Sequence, residues 1–366
     1  VEDIQKINYA SSLAVHPLIA EHPLYKSILQ SDMKKYSFAE NDFNLPLSVI
    51  PTYYKYIPIP HCIVIEDYIT LFFPHLHNGS NQDFDYKTFK LMDAYKGAFT
   101  NNNFRGVICH MRQTLESIDK MFGHDKEISR KLFYLPLAYK SEIDTIKPTN
   151  KDKIILTFTN SFGGEKNNFP LRGGLEVLMA YKQLYESGHH NIYLNLIGPL
   201  NVDSDLLGWI LNCKNVSIYD SNTSIHGRPM ITDDVIHKVL LDTDIFLIPA
   251  CRIHSMSVVR ALCYGNIVLG SNGWGFNEFL DEDFCCDGQE KSSYLEDGIL
   301  KERYSLHLEQ PNLTLLESVK SKILDLIESP QKMDKIKNAN LKSSKEKFSK
   351  AKRDAILEDI IEKMLL

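Results

Sequence analysis

The sequence predicts an α/β protein of two domains with C-terminal helices, and three observations carry that expectation. The chain has 366 residues, long for one domain and comfortable for two. Apolar runs of strand length alternate with helix-periodic segments, as in a parallel sheet covered on both faces. A polar, proline-containing stretch from Thr145 to Lys153 reads as a linker. The expected division is 1–150, 151–330, and a helical tail 331–366 that packs back on the first domain.

The first domain is rich in aromatics and prolines. Cys62–Ile65, Gly106–Cys109 and Phe133–Leu137 are apolar runs short enough for buried strands. Met111 to Phe122 reads as a helix between the last two. A complete doubly wound domain opens on a clear apolar strand and a tight turn. The first forty residues show neither, so this domain is expected to be reduced or its start trimmed.

The second domain has a cleaner pattern. Ile154–Phe158 is a buried strand. Leu175, Leu178, Met179, Tyr181 and Leu184 recur at helical spacing, which predicts a helix over Gly174–Ser187. Tyr193–Ile197 is a strand ended by Gly198 and Pro199. A helix over Leu206–Asn212, a strand over Val216–Tyr219 and a helix over Asp233–Leu241 follow. Ile245–Pro249 is a strand, Ser257–Tyr264 a helix, and Ile267–Gly270 a strand. From Thr314 the chain is helical, with Pro330 separating two helices. Lys332–Arg353 carries nine basic residues and two acidic ones. The plainer reading is a solvated helical face. A membrane-facing surface is the other reading, although hydrophobic anchors do not alternate with these charges.

Net charge is −6 and the pI is near 6.1, a balance that argues against nucleic acid as the main partner. Seven cysteines without a CxxC pair suggest neither a disulfide framework nor a zinc site, so a reducing cytoplasm fits best. No apolar run reaches the length of a membrane span, and no signal-peptide pattern opens the chain. His75 with His77 and Asp83 with Asp85 supply two ligands each, too few to define a metal site, and are read as loop residues.

Ligands of a parallel α/β sheet bind beyond the carboxyl ends of its strands. Three such ends stand out: Thr159–Gly164 followed by Arg172-Gly173-Gly174; Gly198-Pro199; and Pro249–Ser257, leading into the helix that carries Arg260. Small residues at a helix start, with an arginine nearby, suit phosphate. One glycine cluster alone reads as a turn; three converging ends favour a site. In the first domain, Glu66 and Asp67 end an apolar strand and His110 ends another. Their plainer readings are a turn carboxylate and a satisfied, half-buried histidine.

Several segments together carry a resemblance. Asp244–Ala250 is an aspartate, an apolar strand, a proline and a small residue. Arg260–Ser271 joins Ala261, Gly265, an apolar strand and a small residue. Asn272–Glu278 is a glycine loop ending in glutamate. With Arg172-Gly173-Gly174 and Ile225–Arg228, these resemble in order and spacing the nucleotide-binding domain of retaining GT-B glycosyltransferases, which include many cell-surface polysaccharide enzymes. The resemblance covers residues 154 to about 285, and the first 150 residues match in outline. It implies two Rossmann-like domains facing a cleft. It also implies a hexosyltransferase-like reaction, moving a sugar from a nucleotide diphosphate donor to a hydroxyl of a glycan or lipid-linked acceptor, with retention. No metal or other cofactor is required. The enzyme would be cytoplasmic, with peripheral membrane contact allowed.

Under this resemblance the donor-site candidates are Asn160, Ser161, Arg172, Gly198, His226, Gly227, Arg252, Ser255, Met256, Ser257 and Arg260. Arg172 holds the diphosphate, and His226 with Gly227 cups the base. Glu66, Asp67 and His110 are the catalytic candidates, orienting the acceptor or stabilising positive charge on the sugar. One departure stands out. Aligned on Ala261 and Gly265, the family's two glutamates fall at Arg252 and Arg260. Arginine has five donors and no acceptor, so it cannot receive a ribose hydroxyl. It can hold an anion between forks, or pair with an acidic neighbour such as Glu278. The departure keeps open a non-catalytic GT-B-like binding subunit of a glycosylation complex. An epimerase, which shares the fold, lacks a convincing acid/base set here.

Overall fold

A computed structural model describes residues 47–48, 61–65, 71–72, 83–160, 168–219, 224–225, 228–229, 231–289, 293–296, 299–302 and 310–365. The chain divides into two compact units. One comprises Val1–Tyr139, Leu295–Lys301 and Phe348–Leu366; the other comprises Lys140–Tyr294 and Glu302–Lys347.

The first unit carries a parallel sheet of β1 (Leu47–Ser48), β2 (His61–Ile65), β3 (Phe104–Cys109) and β4 (Leu132–Tyr134), in that order. β4 ends before Leu135-Pro136, shorter than the apolar run suggests, because proline has no N–H to continue a ladder. Helices α1 (Met92–Thr100) and α2 (Arg112–Met121) flank β3 in sequence. Phe99 stacks on Phe104 with ring centroids 4.4 Å apart, and Tyr95 donates its hydroxyl to Leu71 O at 3.0 Å. The C-terminal helix Lys350–Leu365 belongs to this unit. Its Leu357, Ile360, Ile361 and Met364 form one apolar stripe against Cys62, Val64, Ile108 and Leu135. The Asp83–Asp85 pair lies in a short strand against Ile299–Lys301. Asp85 accepts from the Thr88 hydroxyl at 2.8 Å and from Lys87 N at 2.9 Å, so it acts as a turn carboxylate.

The second unit is a six-stranded, wholly parallel sheet. Its strands are β5 (Ile154–Thr159), β6 (Ile192–Ile197), β7 (Val216–Tyr219), β8 (Ile245–Leu247), β9 (Ile267–Ser271) and β10 (Cys285–Cys286). Their order across the sheet is β10-β9-β8-β5-β6-β7. The chain builds outward from β5 to β7, then returns to set β8 on the free side of β5. The strands read as continuous apolar runs because both faces are covered. Val177, Leu178, Tyr181 and Leu184 of α3 (Gly174–Glu186) share one core with alternate residues of β5, β6, β8 and β9. That core includes Leu206 and Ile210 of α4 (Ser204–Asn212), and Leu315, Val319 and Ile323 of the C-terminal helix Leu313–Ile327. Helix α5 (Asp233–Asp242) touches β5, and α6 (Ser255–Cys263) touches β9. Helices α7 (Leu313–Ile327) and α8 (Pro330–Lys347) complete the unit.

The tail read as one piece, 331–366, is divided between the units. Helix α8 stays with the second, with Met333 in its core, and the break falls at Lys347/Phe348. Lys337 of α8 explains the attachment. Its ammonium lies 2.7 Å from Asp244 Oδ1 and also donates to Lys147 O at 2.7 Å; the two side chains are 3% and 7% exposed. Asp244 Oδ2 accepts from Ile155 N at 3.0 Å. Thus the amino ends of β5 and β8, helix α8 and the segment read as a linker are joined by one buried pair. Thr149 N donates to Asp334 at 2.8 Å, and Lys147 pairs with Asp242 at 2.5 Å, which dock that segment further. No helix among the described residues is long and apolar enough to cross a membrane.

Candidate functional site

In a doubly wound sheet the ligand crevice opens where the strand order reverses, beyond the carboxyl ends of the diverging strands. Here those strands are β5 and β8. β5 is followed by Asn160, 2% exposed. Asn160 N donates to Ile197 O, and its Nδ2 donates to Pro199 O, both at 2.7 Å. Asn160 Oδ1 is buried with no described group donating to it. Gly198 permits this closeness. It sits at φ +99°, and a Cβ there would collide with the Asn160 carbonyl oxygen.

On the other side of β5, the chain beyond β8 lies against the approach to α3. Cys251 N donates to Leu171 O at 3.0 Å. Gly173, at φ +73°, faces Pro249 so closely that an added Cβ would sit 2.6 Å from its carbonyl oxygen. Arg172 immediately precedes this contact and is 3% exposed. A guanidinium so deeply placed needs polar partners or an anion in place of water. The structure therefore brings the ends at Asn160, Gly198, Arg172 and Pro249 together at one end of the sheet.

Beyond Pro249 the chain runs beside the loop after β9. Trp274 N donates to Cys251 O, and Ile253 N donates to Trp274 O, each at 3.0 Å. Ser271 Oγ donates to Ala250 O at 2.6 Å and accepts from Gly273 N at 3.0 Å. This loop delivers the chain to α6, which starts two residues earlier than its sequence pattern suggests. Ser255, Met256 and Ser257 are thus its first turn, without a side-chain cap at His254 or an acidic residue. Such a helix start favours an anion through its N–H groups and dipole.

The two arginines have separate surroundings. The Arg252 guanidinium lies 5.2 Å from the Trp274 ring centroid, a cation–π contact. Arg260 Nη1 donates to Asp233 Oδ1 at 2.7 Å. Glu278, the neighbour the sequence suggested, gives its backbone oxygen to Lys347 Nζ at 3.0 Å. One turn beyond Arg260, the Tyr264 hydroxyl meets His237 Nδ1 at 2.5 Å. Helices α5 and α6 are thus clasped at two successive turns. Arg260→Glu should set two carboxylates together and lower stability by about 0.5–1.5 kcal/mol, the scale of a lost exposed pair plus like-charge repulsion. Nucleotide affinity should stay within about twofold, well under the tenfold that 1.4 kcal/mol represents. Lost affinity with an unchanged melting curve would return Arg260 to the ligand.

Two buried polar residues, Glu176 and Gln289, and the half-buried Asn312 carry no signal in the sequence. Glu176, in the first turn of α3, is 1% exposed, and its Oε1 accepts from Asn312 N at 2.8 Å. Asn312 Nδ2 donates to Gly288 O at 2.6 Å. Gln289 Nε2 donates to Pro249 O at 3.0 Å, and the Cys251 thiol donates to Gln289 Oε1 at 3.1 Å. This belt supports the backbone at the strand reversal. Burial pushes the Cys251 thiol up to about 12, so it is an inert neutral group. Burial also raises the Glu176 carboxyl, opposed by the Asn312 N–H. A raised folded-state value means stability present below the ordinary value of 4.5 and lost as pH rises through the folded one. Glu176→Gln should remove that loss. Melting temperatures across this range should diverge between wild type and variant; parallel curves would show that Glu176 does not titrate in the fold.

The other candidates are placed less fully. Glu66, Asp67, Ser161, His226 and Gly227 lie outside the described residues, as do His75 and His77. Ser224–Ile225 and Arg228–Pro229 pair antiparallel on either side of His226 and Gly227. His110 is buried after β3 in the first unit. No group of three metal-ligating side chains occurs among the described residues. A cavity of about 320 Å³ lies at the opposite, amino edge of the second sheet, lined by Ile146, Leu241, Thr243 and Tyr264 among others. It is remote from the strand reversal.

No protein-family model and no curated protein matches the chain. Solved structures do. The Anabaena protein HepE, in complex with UDP and glucose, matches with a TM-score of 0.53 at 11% identity, over 83% of this chain and 71% of HepE. TarM matches with 0.51 at 15% identity, and the GtfA/B complex with 0.54 at 12%, each over 83% of this chain. The match spans about half of those two proteins, 50% and 53%. These neighbours are GT-B glycosyltransferases, and at such identity the likeness is one of fold. The chain has a GT-B-type α/β fold with C-terminal helices.

Proposed function

We propose that the chain is a glycosyltransferase that moves a hexosyl group from a nucleotide diphosphate sugar to a hydroxyl of a glycan or lipid-linked acceptor, with retention. The observation that carries the reading is the strand reversal between β5 and β8, where Arg172, Gly173 and the Asn160–Gly198 contact meet. HepE, with UDP and glucose bound, supports the donor class. On this reading Arg172 and the first turn of α6 neutralise the leaving diphosphate, so catalysis is mainly positioning and electrostatic stabilisation. Glu66, Asp67 and His110 orient the acceptor or offset charge on the sugar, and no metal is invoked. The protein works in the cytoplasm, with peripheral membrane contact where the acceptor is lipid-linked. The work belongs to polysaccharide biosynthesis.

A thermal-shift screen with UDP, ADP, GDP and their glucose conjugates tests this. A ligand at a hundred times its Kd should add about 2.7 kcal/mol of stability. No shift with any of them would defeat the donor reading. Arg252 and Arg260, which have no acceptor to offer, favour a second reading, a non-catalytic GT-B-like subunit of a glycosylation complex. Binding without sugar transfer to any acceptor would select it.

A further inference from the structure

Around the strand reversal, two buried acceptor atoms have no described donor, Glu176 Oε2 in the supporting belt and Asn160 Oδ1 at the end of β5. Asn160 is 2% exposed, and its Oδ1 is buried without a partner. The amide's orientation is fixed, because Pro199 O accepts from Nδ2 at 2.7 Å and only the NH₂ end of an amide can donate. Pro199 follows β6, so the amide nitrogen is committed to that neighbour and Oδ1 is the side chain's remaining acceptor. The side chain therefore offers an acceptor at the end of β5, the strand where the sheet reverses. A buried acceptor without a donor is costly, and a ligand group that donates to it recovers that cost on binding. The arginines among the donor-site candidates, Arg172, Arg252 and Arg260, are donors only, and Arg260 is engaged by Asp233.

We infer that Asn160 is a specificity-determining residue whose Oδ1 accepts a hydrogen bond from a sugar hydroxyl of the bound nucleotide sugar. The inference rests on the donor reading above. Its consequence is selectivity. A site with a buried acceptor rejects an analogue that lacks the matching hydroxyl, because the acceptor is then left unpaired. The hydroxyl belongs to the ribose or to the hexose, and both present the same chemistry.

Calorimetric titrations separate the two. UDP, ADP and GDP against their 2′- and 3′-deoxy forms read the ribose. The corresponding glucose nucleotides against their deoxyglucose forms read the hexose. The wild type should prefer the hydroxyl-bearing ligand by about tenfold or more in one arm. Asn160→Leu, similar in volume and without an acceptor, should reduce that preference to within about twofold. Asn160→Asp keeps an acceptor and should keep the preference, even where overall affinity falls. A preference that persists in the Leu variant overturns the inference, as does its loss in the Asp variant. Should the Leu variant fail to fold, the Asp variant decides alone. A wild type that binds these nucleotides without discriminating any hydroxyl overturns the inference and leaves the donor reading standing. A wild type that binds none overturns both.

Discussion

Lys337→Met is expected to lower the stability of the second unit by about 3–5 kcal/mol, the cost of breaking a buried ion pair from one side. The change strands the Asp244 carboxylate beneath α8, with Ile155 N still donating to it. It also leaves Lys147 O without the ammonium, loosening the segment docked there. Adding Asp244→Asn should return much of the loss. Asparagine still accepts from Ile155 N, and the stranded charge is gone. Denaturant melts of the two single variants and the double variant make the cycle. A single-variant cost below about 1 kcal/mol would place the pair with ordinary exposed pairs and show that water reaches it. The pair joins the amino ends of the two strands whose carboxyl ends flank the proposed crevice. Its loss should therefore reach the ligand site through strand position.

How much of this was legible in the sequence follows from how locally each feature is encoded. The runs at 154–158, 193–197, 245–249 and 267–270 are local patterns, and each became a strand of the second sheet. The edge strand Cys285–Cys286 is two residues long, too short for any period to show. Glycines at 173 and 198 could be placed at strand ends, but not what they touch. Their need depends on Pro249 and Asn160, brought near by the sheet. The Arg260–Asp233 pair is beyond sequence reading for the same reason: it depends on how α5 packs beside α6. Glu176 and Gln289 look like ordinary polar residues until the core closes over them. The tail divides at Lys347/Phe348 because α8 and the last helix have different apolar partners, which a run of basic residues does not reveal.

Arg172→Ala is expected to weaken nucleotide diphosphate binding by about 1.5–3 kcal/mol, the worth of a hydrogen bond to a charged group, or roughly ten- to 150-fold. The expectation combines three observations. Arg172 is 3% exposed beside the strand reversal. Gly173 brings the adjoining backbone against Pro249 at the end of β8. The first turn of α6 carries no acidic residue to compete with an anion. Burial complicates the reading, because removing a buried guanidinium also leaves its protein partners unsatisfied and lowers stability. Arg172→Lys separates the effects. It keeps the charge but loses the planar fork, so a diphosphate held by two parallel contacts should still bind several-fold more weakly. Affinities for the diphosphate and for the bare nucleoside, read beside the melting curves, decide the matter. A ligand role predicts weakened diphosphate and unchanged nucleoside binding. Equal weakening of both, tracking the fall in melting temperature, would make Arg172 a structural residue and move the phosphate contact to the start of α6.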